Sequence, residues 1–360
     1  MIEQTATFSP DWISTPGDTI LDLLEERGWK QTEFAERIGF SPKHVSQLIN
    51  GKSAITEDAA IRLERVLGSS ARFWMNRESQ YREALARETE LEALEHDVAW
   101  LKEIPIKHMV DSQWMRKCKN KAEQVSEALK FFGVASVDAW RNKYASPLAA
   151  FRASGKFDKQ PGAVSAWLRQ GERRASDIRT APFNKGRFKA TLEELRALTN
   201  ETNPSVFIPA LMEACAASGV AVVFEPAPTG CPVSGATKWI ASDKTLLMLS
   251  LRHKTNDHLW FSFFHEAGHL LLHGKKMLFI EGNGLDNEQE DEANQFAANL
   301  LIPKQHEERL ILLGHSATSI SAFAKELGIA PGIVIGRLQN EGLLPWGTRL
   351  NSLKARYQWQ

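Results

Sequence analysis

Residues 259–273 of the chain read LWFSFFHEAGHLLLH. Apolar residues leave almost no helical face that tolerates water, so the stretch predicts a buried helix over residues 256–273. Its polar residues form one narrow stripe, which consists of His258, Ser262, His265, Glu266, His269 and His273. A solvated face is the alternative, but such faces use Lys, Glu and Arg more than His. The stripe therefore favours a metal site.

The pentapeptide HEAGH places two histidines four residues apart. Residues with this spacing project from one face of a helix, so His265 and His269 can offer two imidazole nitrogens to one Zn²⁺ ion. Glu266 lies on the same side, where it can take the proton of a water that attacks a metal-polarised carbonyl group. Because so short a pattern also arises by chance, its surroundings have to support the prediction.

A catalytic zinc needs three protein ligands and an open position, so the third ligand is expected from another element. The acidic run EQEDEAN, residues 288–294, opens a second predicted helix that starts near residue 287 and is stopped by Pro303. An acidic first turn that complements the helix dipole is the alternative, and it accounts for most of these acids. One of them is expected to complete the metal site.

The two motifs together resemble those of the ImmA/IrrE peptidase family. They are HEAGH followed by LLLH, and ExEANxFAAxLLxP at residues 290–303. In that family the glutamate directly before the alanine completes the metal site, which implies Glu292 as the third ligand. The resemblance covers residues 201–303 and implies an α+β, zincin-like zinc endopeptidase. His273 and His258 are candidates for oxyanion stabilisation or for holding a ligand, with a structural role as the alternative.

Strand-like runs precede the metal helix. Large or β-branched apolar residues, bounded by Gly, Pro or Asp, predict strands at residues 220–224, 235–240 and 245–251. The last of these leads towards the metal helix, so it is predicted to be the strand to which an extended peptide substrate adds.

Nearer the N-terminus, residues 29–52 read WKQTEFAERIGFSPKHVSQLINGK and predict two short amphipathic helices joined through Gly39. Ser41 is placed to cap the second helix and Pro42 to begin it. Polar side chains that face outward and can reach base edges are Lys43, His44, Ser46, Gln47 and Asn50. A helical protein-interaction bundle is the alternative, because acidic and basic residues roughly cancel over residues 21–72.

The run SQLINGK at residues 46–52, followed by IT, resembles the Xre/Cro-type helix-turn-helix and, more narrowly, the antidotes of HigA-type toxin–antitoxin modules. The resemblance spans residues 16–82 and favours double-stranded DNA as a partner. Implied phosphate contacts are Gln31, Thr32 and Lys52, and implied base contacts are Lys43, Ser46 and Gln47. Since one recognition helix covers few base pairs, we expect a homodimer on an inverted-repeat operator.

The chain has 360 residues, enough for two or three domains. No apolar run approaches the about 20 residues that cross a bilayer, and no secretion signal is evident. Its three cysteines are far apart and suit a reducing compartment. We therefore expect a cytoplasmic protein without membrane contact. Basic residues predominate over 97–189 and acidic residues over 191–310, which indicates different partners or merely a solvated surface.

The sequence thus predicts a multidomain protein. Residues 1–82 form an all-α helix-turn-helix domain, residues 83–200 a helical middle segment, residues 201–303 an α+β zincin-like metallopeptidase domain and residues 304–360 a C-terminal helical extension. The predicted function is a transcriptional regulator whose zinc endopeptidase cleaves a protein such as a regulator or a toxin. The competing hypothesis is an antitoxin-like repressor whose zinc domain senses or scaffolds without turnover.

Overall fold

A computed structural model describes residues 14–145, 161–274, 279–280 and 287–359. The chain divides into two compact units, one ending at His96 and the other beginning at Asp97. Each unit has a hydrophobic core of its own. Within the described ranges no single helix is both long and apolar enough to cross a membrane; residues 317–340 reach that length and apolarity only as two helices bent by 109°.

The first unit is all-helical. Its helices are α1 (Pro16–Arg27), α2 (Gln31–Ile38), α3 (Pro42–Ile49), α4 (Glu57–Leu67) and α5 (Ala71–Leu94). Ser or Thr side chains cap α1, α3, α4 and α5 by accepting hydrogen bonds from backbone N–H groups of the first turn. Phe34, Val45 and Trp74 are fully buried in the core that these helices share. The predicted all-helical N-terminal module is confirmed.

The second unit begins with helices and continues into a sheet. Its first described helices are α6 (Ile106–Asp111), α7 (Lys121–Phe132), α8 (Val137–Trp140), α9 (Pro161–Asp177), α10 (Lys185–Leu195) and α11 (Pro204–Ala216). The strands are β1 (Val220–Phe224), β2 (Gly235–Ala241), β3 (Lys244–Leu249) and β4 (Phe279–Ile280). Strand order in the sheet is β1-β3-β2-β4, with β1 parallel to β3 and the other pairs antiparallel.

The position of β3 corrects one prediction from the sequence. Leu247 of β3 pairs with Val222 of β1 on one side and with Thr237 of β2 on the other. Both backbone edges of the strand are therefore already hydrogen-bonded, and a peptide cannot add there as a further strand. The prediction that residues 245–251 receive the substrate is wrong, because edge position depends on strand order, which local sequence does not specify.

Helix α12 (Asn256–Leu272) packs on one face of the sheet, and later helices share its hydrophobic core. They are α13 (Asn287–Leu301), α14 (Glu307–Ile311), α15 (Ala317–Leu327) and α16 (Pro331–Asn340). Leu247 and Leu249 of β3 belong to the same core cluster as Phe263 of α12, Ile320 of α15 and Val334 of α16. The C-terminal helices, predicted as an extension over residues 304–360, therefore complete the core of this unit.

The opposite face of the sheet lies against α9, a helix of the predicted middle segment. Side chains alternate along a strand, so Met248 points away from Leu247 and Leu249; it meets Gly171 of α9. The indole N–H of Trp167, also on α9, donates a hydrogen bond to the carbonyl oxygen of Glu225 at 2.8 Å. Residues 83–200, 201–303 and 304–360 were predicted as separate segments, whereas the structure joins everything from Asp97 onwards in one unit.

We predict that Gly171→Ala destabilises the second unit by about 1–3 kcal/mol, because the new methyl group would overpack a filled interior. That methyl would lie 2.0 Å from the sulfur of Met248. Gly186→Ala on α10 is the matched control, since its methyl would lie 3.5 Å from Oδ1 of Asn184, an ordinary van der Waals contact. Calorimetric melting of the full chain should show a lower transition temperature for Gly171→Ala alone. Equal melting of both variants would contradict the close packing of α9 on the sheet.

Candidate metal centre and DNA interface

Two histidine side chains of α12 converge at the centre of the second unit. The helix is apolar on nearly every side, and His265 and His269 are buried within it, with 1% and 0% of their surface exposed. Their Nε2 atoms lie 3.0 Å apart. The spacing of four residues therefore brings the two imidazoles together as predicted.

The acidic side chain beside this pair is Glu290 of α13. Its carboxylate oxygens lie 3.3 Å from Nε2 of His265 and 3.4 Å from Nε2 of His269. One donor atom from each of these three residues fits within a mutual distance of 4.8 Å, so they could together hold a metal ion. These are the donor types and the number that a catalytic zinc site requires from protein.

Glu292, the ligand implied by the family resemblance, lies elsewhere. Its side chain is 53% exposed and its carboxylate is 3.0 Å from Nε2 of His273. Residues two apart on a helix point about 200° apart, so Glu290 and Glu292 cannot both face α12. The face that does is the one with Ala293, whose Cα would lie 3.3 Å from a methyl group at Gly268. The structure thus places Glu290, rather than Glu292, at the candidate metal centre.

Further polar groups contact the two imidazoles at Nδ1, the ring nitrogen that does not face Glu290. Nδ1 of His265 is 2.9 Å from the side-chain oxygen of Asn294, one turn after Glu290 on α13. Nδ1 of His269 is 2.9 Å from Nδ1 of His273, which in turn contacts Glu292. Partners of this kind fix the ring orientation of metal-binding histidines and direct Nε2 to the shared point. In this structure His273 therefore contacts His269 from the side away from Glu290, and Glu292 contacts His273.

The protonation states of the cluster suit a cation. Burial would raise the pKa of Glu290, but hydrogen bonds from His265 and His269 outweigh it and lower that pKa to about 2. Burial also lowers the pKa of His269, an effect that Glu290 only partly offsets. A carboxylate and a neutral imidazole are the forms in which these groups bind metal ions.

Glu266, the predicted proton acceptor, is fully buried next to His265. The start of β2 lies directly against it, because a methyl group at Gly235 would come within 2.6 Å of its Cγ and 2.8 Å of its Oε1. Sequence reasoning did not single out Gly235. A glycine in a strand often marks a close approach of the backbone to another group, and this was the available signal.

His258 belongs to a different environment. It precedes His265 by seven residues, about two helical turns or ~10 Å along the axis. Its ring stacks on that of His253 with the centroids 4.2 Å apart. Burial lowers the pKa of His258. The structure therefore separates His258 from the metal centre, whereas it places His273 beside His269.

The first unit presents the second constellation predicted from sequence. Ser41 caps α3 by accepting a hydrogen bond from the backbone N–H of His44, and Pro42 is the first residue of the helix. The predicted DNA contacts lie at the start of α2, along α3 and directly after α3, and all of them are exposed or half-buried. They are Gln31, Thr32, Lys43, His44, Ser46, Gln47, Asn50 and Lys52.

Within this surface, the side chain of Asn50 is already engaged with Ser46. The amide nitrogen of Asn50 donates a hydrogen bond of 2.7 Å to the carbonyl oxygen of Ser46, which folds the side chain back onto its own helix. Lys43 and Ser46 remain exposed on the outer face of α3. The turn after α3 is held by α5, since Arg82 donates to the carbonyl oxygen of Gly51.

Comparisons with known proteins agree with both constellations. Residues 20–74 match the helix-turn-helix family and residues 215–338 match the IrrE N-terminal-like domain of the M78 peptidase family. The uncharacterized HTH-type transcriptional regulator YddM of Escherichia coli K12 is 38% identical over 74 residues, which are 79% of its length and 21% of this chain. The chain belongs to the helix-turn-helix family and carries a peptidase-family domain. The match to residues 215–338 includes α15 and most of α16, in keeping with their place in the core.

Other relatives match the same N-terminal region. The uncharacterized HTH-type regulator YbaQ of Escherichia coli K12 is 38% identical over 64 residues, 57% of its length and 18% of this chain. A protein from Nostoc punctiforme assigned to the antidotes of plasmid maintenance systems is 34% identical, with 91% of that chain and 23% of this one covered and a TM-score of 0.23. A HigA-family addiction module antidote from Coxiella burnetii is 24% identical, with 92% and 23% covered and a TM-score of 0.22.

We predict that Glu290→Gln weakens zinc binding at least about 100-fold, because it removes a charged donor from the cluster. Glu292→Gln should weaken zinc binding less than about tenfold, since Glu292 contacts the cluster only through His273. The measurement is competition between the full chain and a chromophoric chelator. A His265→Ala, His269→Ala double variant sets the level of complete loss. A larger loss in Glu292→Gln than in Glu290→Gln would return the ligand role to Glu292.

Proposed function

We propose that this protein is a DNA-binding transcriptional regulator whose second unit is a zinc-dependent endopeptidase acting on a protein. The observation that carries the peptidase proposal is the convergence of two imidazole Nε2 atoms and the Glu290 carboxylate beside the buried Glu266. Buried polar side chains are costly unless they are paired, so a cluster of this composition inside an apolar core favours a functional site over a structural one.

The residues present fit zinc. His265, His269 and Glu290 supply two nitrogen donors and one oxygen donor, and both histidines have a partner at Nδ1. Three protein donors leave a position for substrate or water, as in catalytic rather than structural sites. When bound, zinc would supply Lewis-acid polarisation of the scissile carbonyl group.

The chain's own residues would do the rest of the chemistry. Glu266 takes the proton from the attacking water and returns it to the leaving amine. It can do so because it directly follows His265 on α12. Gly235 leaves the space in which the Glu266 carboxylate lies. Asn294 and the His273–Glu292 pair keep the two imidazoles oriented, so that little reorganisation is needed during the reaction.

The DNA-binding unit suggests which proteins are cut. A protease domain on the same chain as a helix-turn-helix is brought close to other regulators at a promoter, so we propose a regulator or a toxin as the substrate. We propose a homodimer bound to an inverted repeat, because one recognition helix covers only a few base pairs. Access to such DNA requires the protein to be in the cytoplasm.

We predict that Glu266→Gln abolishes cleavage while zinc stays bound, since the amide fills the same space but cannot accept the proton. Proteins encoded beside the gene are incubated with zinc-loaded full-length chain, and products are identified by mass spectrometry. Glu213→Gln, an exposed glutamate on α11, is the matched control. A Glu266→Gln protein that cleaves like the wild type would remove Glu266 from the mechanism. Wild type that binds zinc but cleaves none of these proteins would favour the sensor or scaffold hypothesis.

For the first unit we predict that Lys43→Ala with Gln47→Ala weakens binding to the promoter of its own gene at least about tenfold, because base contacts of this kind contribute about 1–3 kcal/mol each. Gel shifts at a fixed salt concentration measure the change. Gln80→Ala with Arg87→Ala on α5 removes the same charge and amide from exposed positions and serves as the control. Equal losses in both double variants would show that only net charge matters.

A further inference from the structure

A cavity of about 100 Å³ lies between the metal-bearing helices of the second unit and α16. Its walls come from the first turns of α12, the last turns of α13 and the middle of α16. Its lining includes His258, Phe261, Ala298, Ile333, Arg337 and Trp346. The volume is smaller than the about 150 Å³ of a cavity that holds benzene, so it fits a branched aliphatic group or, more tightly, a single ring.

The cavity lies about one helical turn from the candidate metal centre. The ring of Phe261 lies one turn before His265, and the centroids of the two rings are 6.2 Å apart. Ala298 follows Asn294 by one turn on α13, and Asn294 contacts His265. An extended peptide advances about 3.3 Å per residue, so a side chain in this cavity belongs to a residue within about two positions of the reacting carbonyl group.

The charges around the cavity are already compensated. Asp257 forms a buried ion pair with Lys354, and Nε of Arg337 lies 2.9 Å from the carboxylate of Glu341. Burial lowers the pKa of His258, which favours its neutral form. Phe261, Ile333 and Trp346 supply apolar surface, with Trp346 61% exposed. An uncharged apolar group therefore fits this environment better than an acidic or basic one.

We infer that this cavity receives an aromatic or branched aliphatic side chain of the peptide substrate and so sets the cleavage specificity. The inference rests on the proposed peptidase function. Binding at this point contacts α12 and α13 together, the two helices that carry the metal-binding residues. A fitting side chain thus holds the scissile bond next to His265 and Glu266, and its binding energy is used to position the reacting group.

The test uses zinc-loaded full-length protein and a peptide library whose products are sequenced by mass spectrometry. We expect wild type to favour Phe, Leu or Ile over Ala at one position next to the cleaved bond, by about tenfold or more in kcat/KM. Ala298→Leu should remove that preference by occupying the cavity, while Asn299→Leu, an exposed neighbour on α13, should keep it. Phe261→Leu should instead shift the preference towards Trp, because it enlarges the cavity.

Zinc content is measured for each variant, so that a lost preference is not confused with a lost metal. Cleavage by wild type without any apolar preference overturns the inference and leaves the proposed function intact. The inference is also overturned, with the proposed function intact, if Ala298→Leu and Phe261→Leu keep the preference of the wild type. If zinc-loaded wild type cleaves neither the library nor any neighbouring protein, the proposed function itself fails, and the inference fails with it.

Discussion

The close packing of α12 against α13 is the constraint on which the second unit depends. Helix α12 buries His265, Glu266 and His269 in an otherwise apolar environment, and buried polar groups without partners cost several kcal/mol. Gly268 lets the backbone of α13 come close at Ala293, and this approach allows Glu290 and Asn294 to reach the imidazoles. A larger residue at Gly268 would move both away. The helix contact and the candidate metal centre are thus one structural feature.

The rest of the unit holds this pair of helices in place. The sheet lies between α12 on one face and α9 on the other, and the first residue of β2 covers Glu266. At the end of β1, the buried carboxylate of Glu225 accepts a hydrogen bond from the indole of Trp114 and pairs with Arg174. These contacts connect helices from the predicted middle segment to the sheet. Helix α12 of the site thus packs on a sheet that is itself held from its other face.

The two units have different chemistry on one chain. In the first, exposed polar side chains of α2 and α3 surround a small hydrophobic core. Such an exposed polar surface suits a large, charged partner such as DNA. In the second, the functional groups are buried and face each other, so their electrostatic interactions are stronger than they would be in bulk water. An apolar cavity lies next to the buried cluster, and we propose that it selects among peptides.

Much of this organisation follows from local sequence. The HEAGH spacing on an apolar helix, the three strands, and the cap formed by Ser41 and Pro42 all depend on residues a few positions apart, and the structure has each of them. Such features are determined by helical and strand periodicity and by local hydrogen bonds. The three protein ligands that a catalytic zinc needs added the expectation of a third ligand from the next helix, and the family resemblance implied Glu292 as that ligand.

Only the tertiary structure decided which groups meet across distant parts of the chain. Glu290 and Glu292 are the same residue type two positions apart, and the choice between them depends on which face of α13 packs against α12. The interior position of β3 depends on strand order, and the joining of α9 and α16 to one core depends on what covers each face of the sheet. Periodicity along a sequence specifies which side of an element is apolar, but not the partner that side meets, because that partner is chosen by packing of the whole unit.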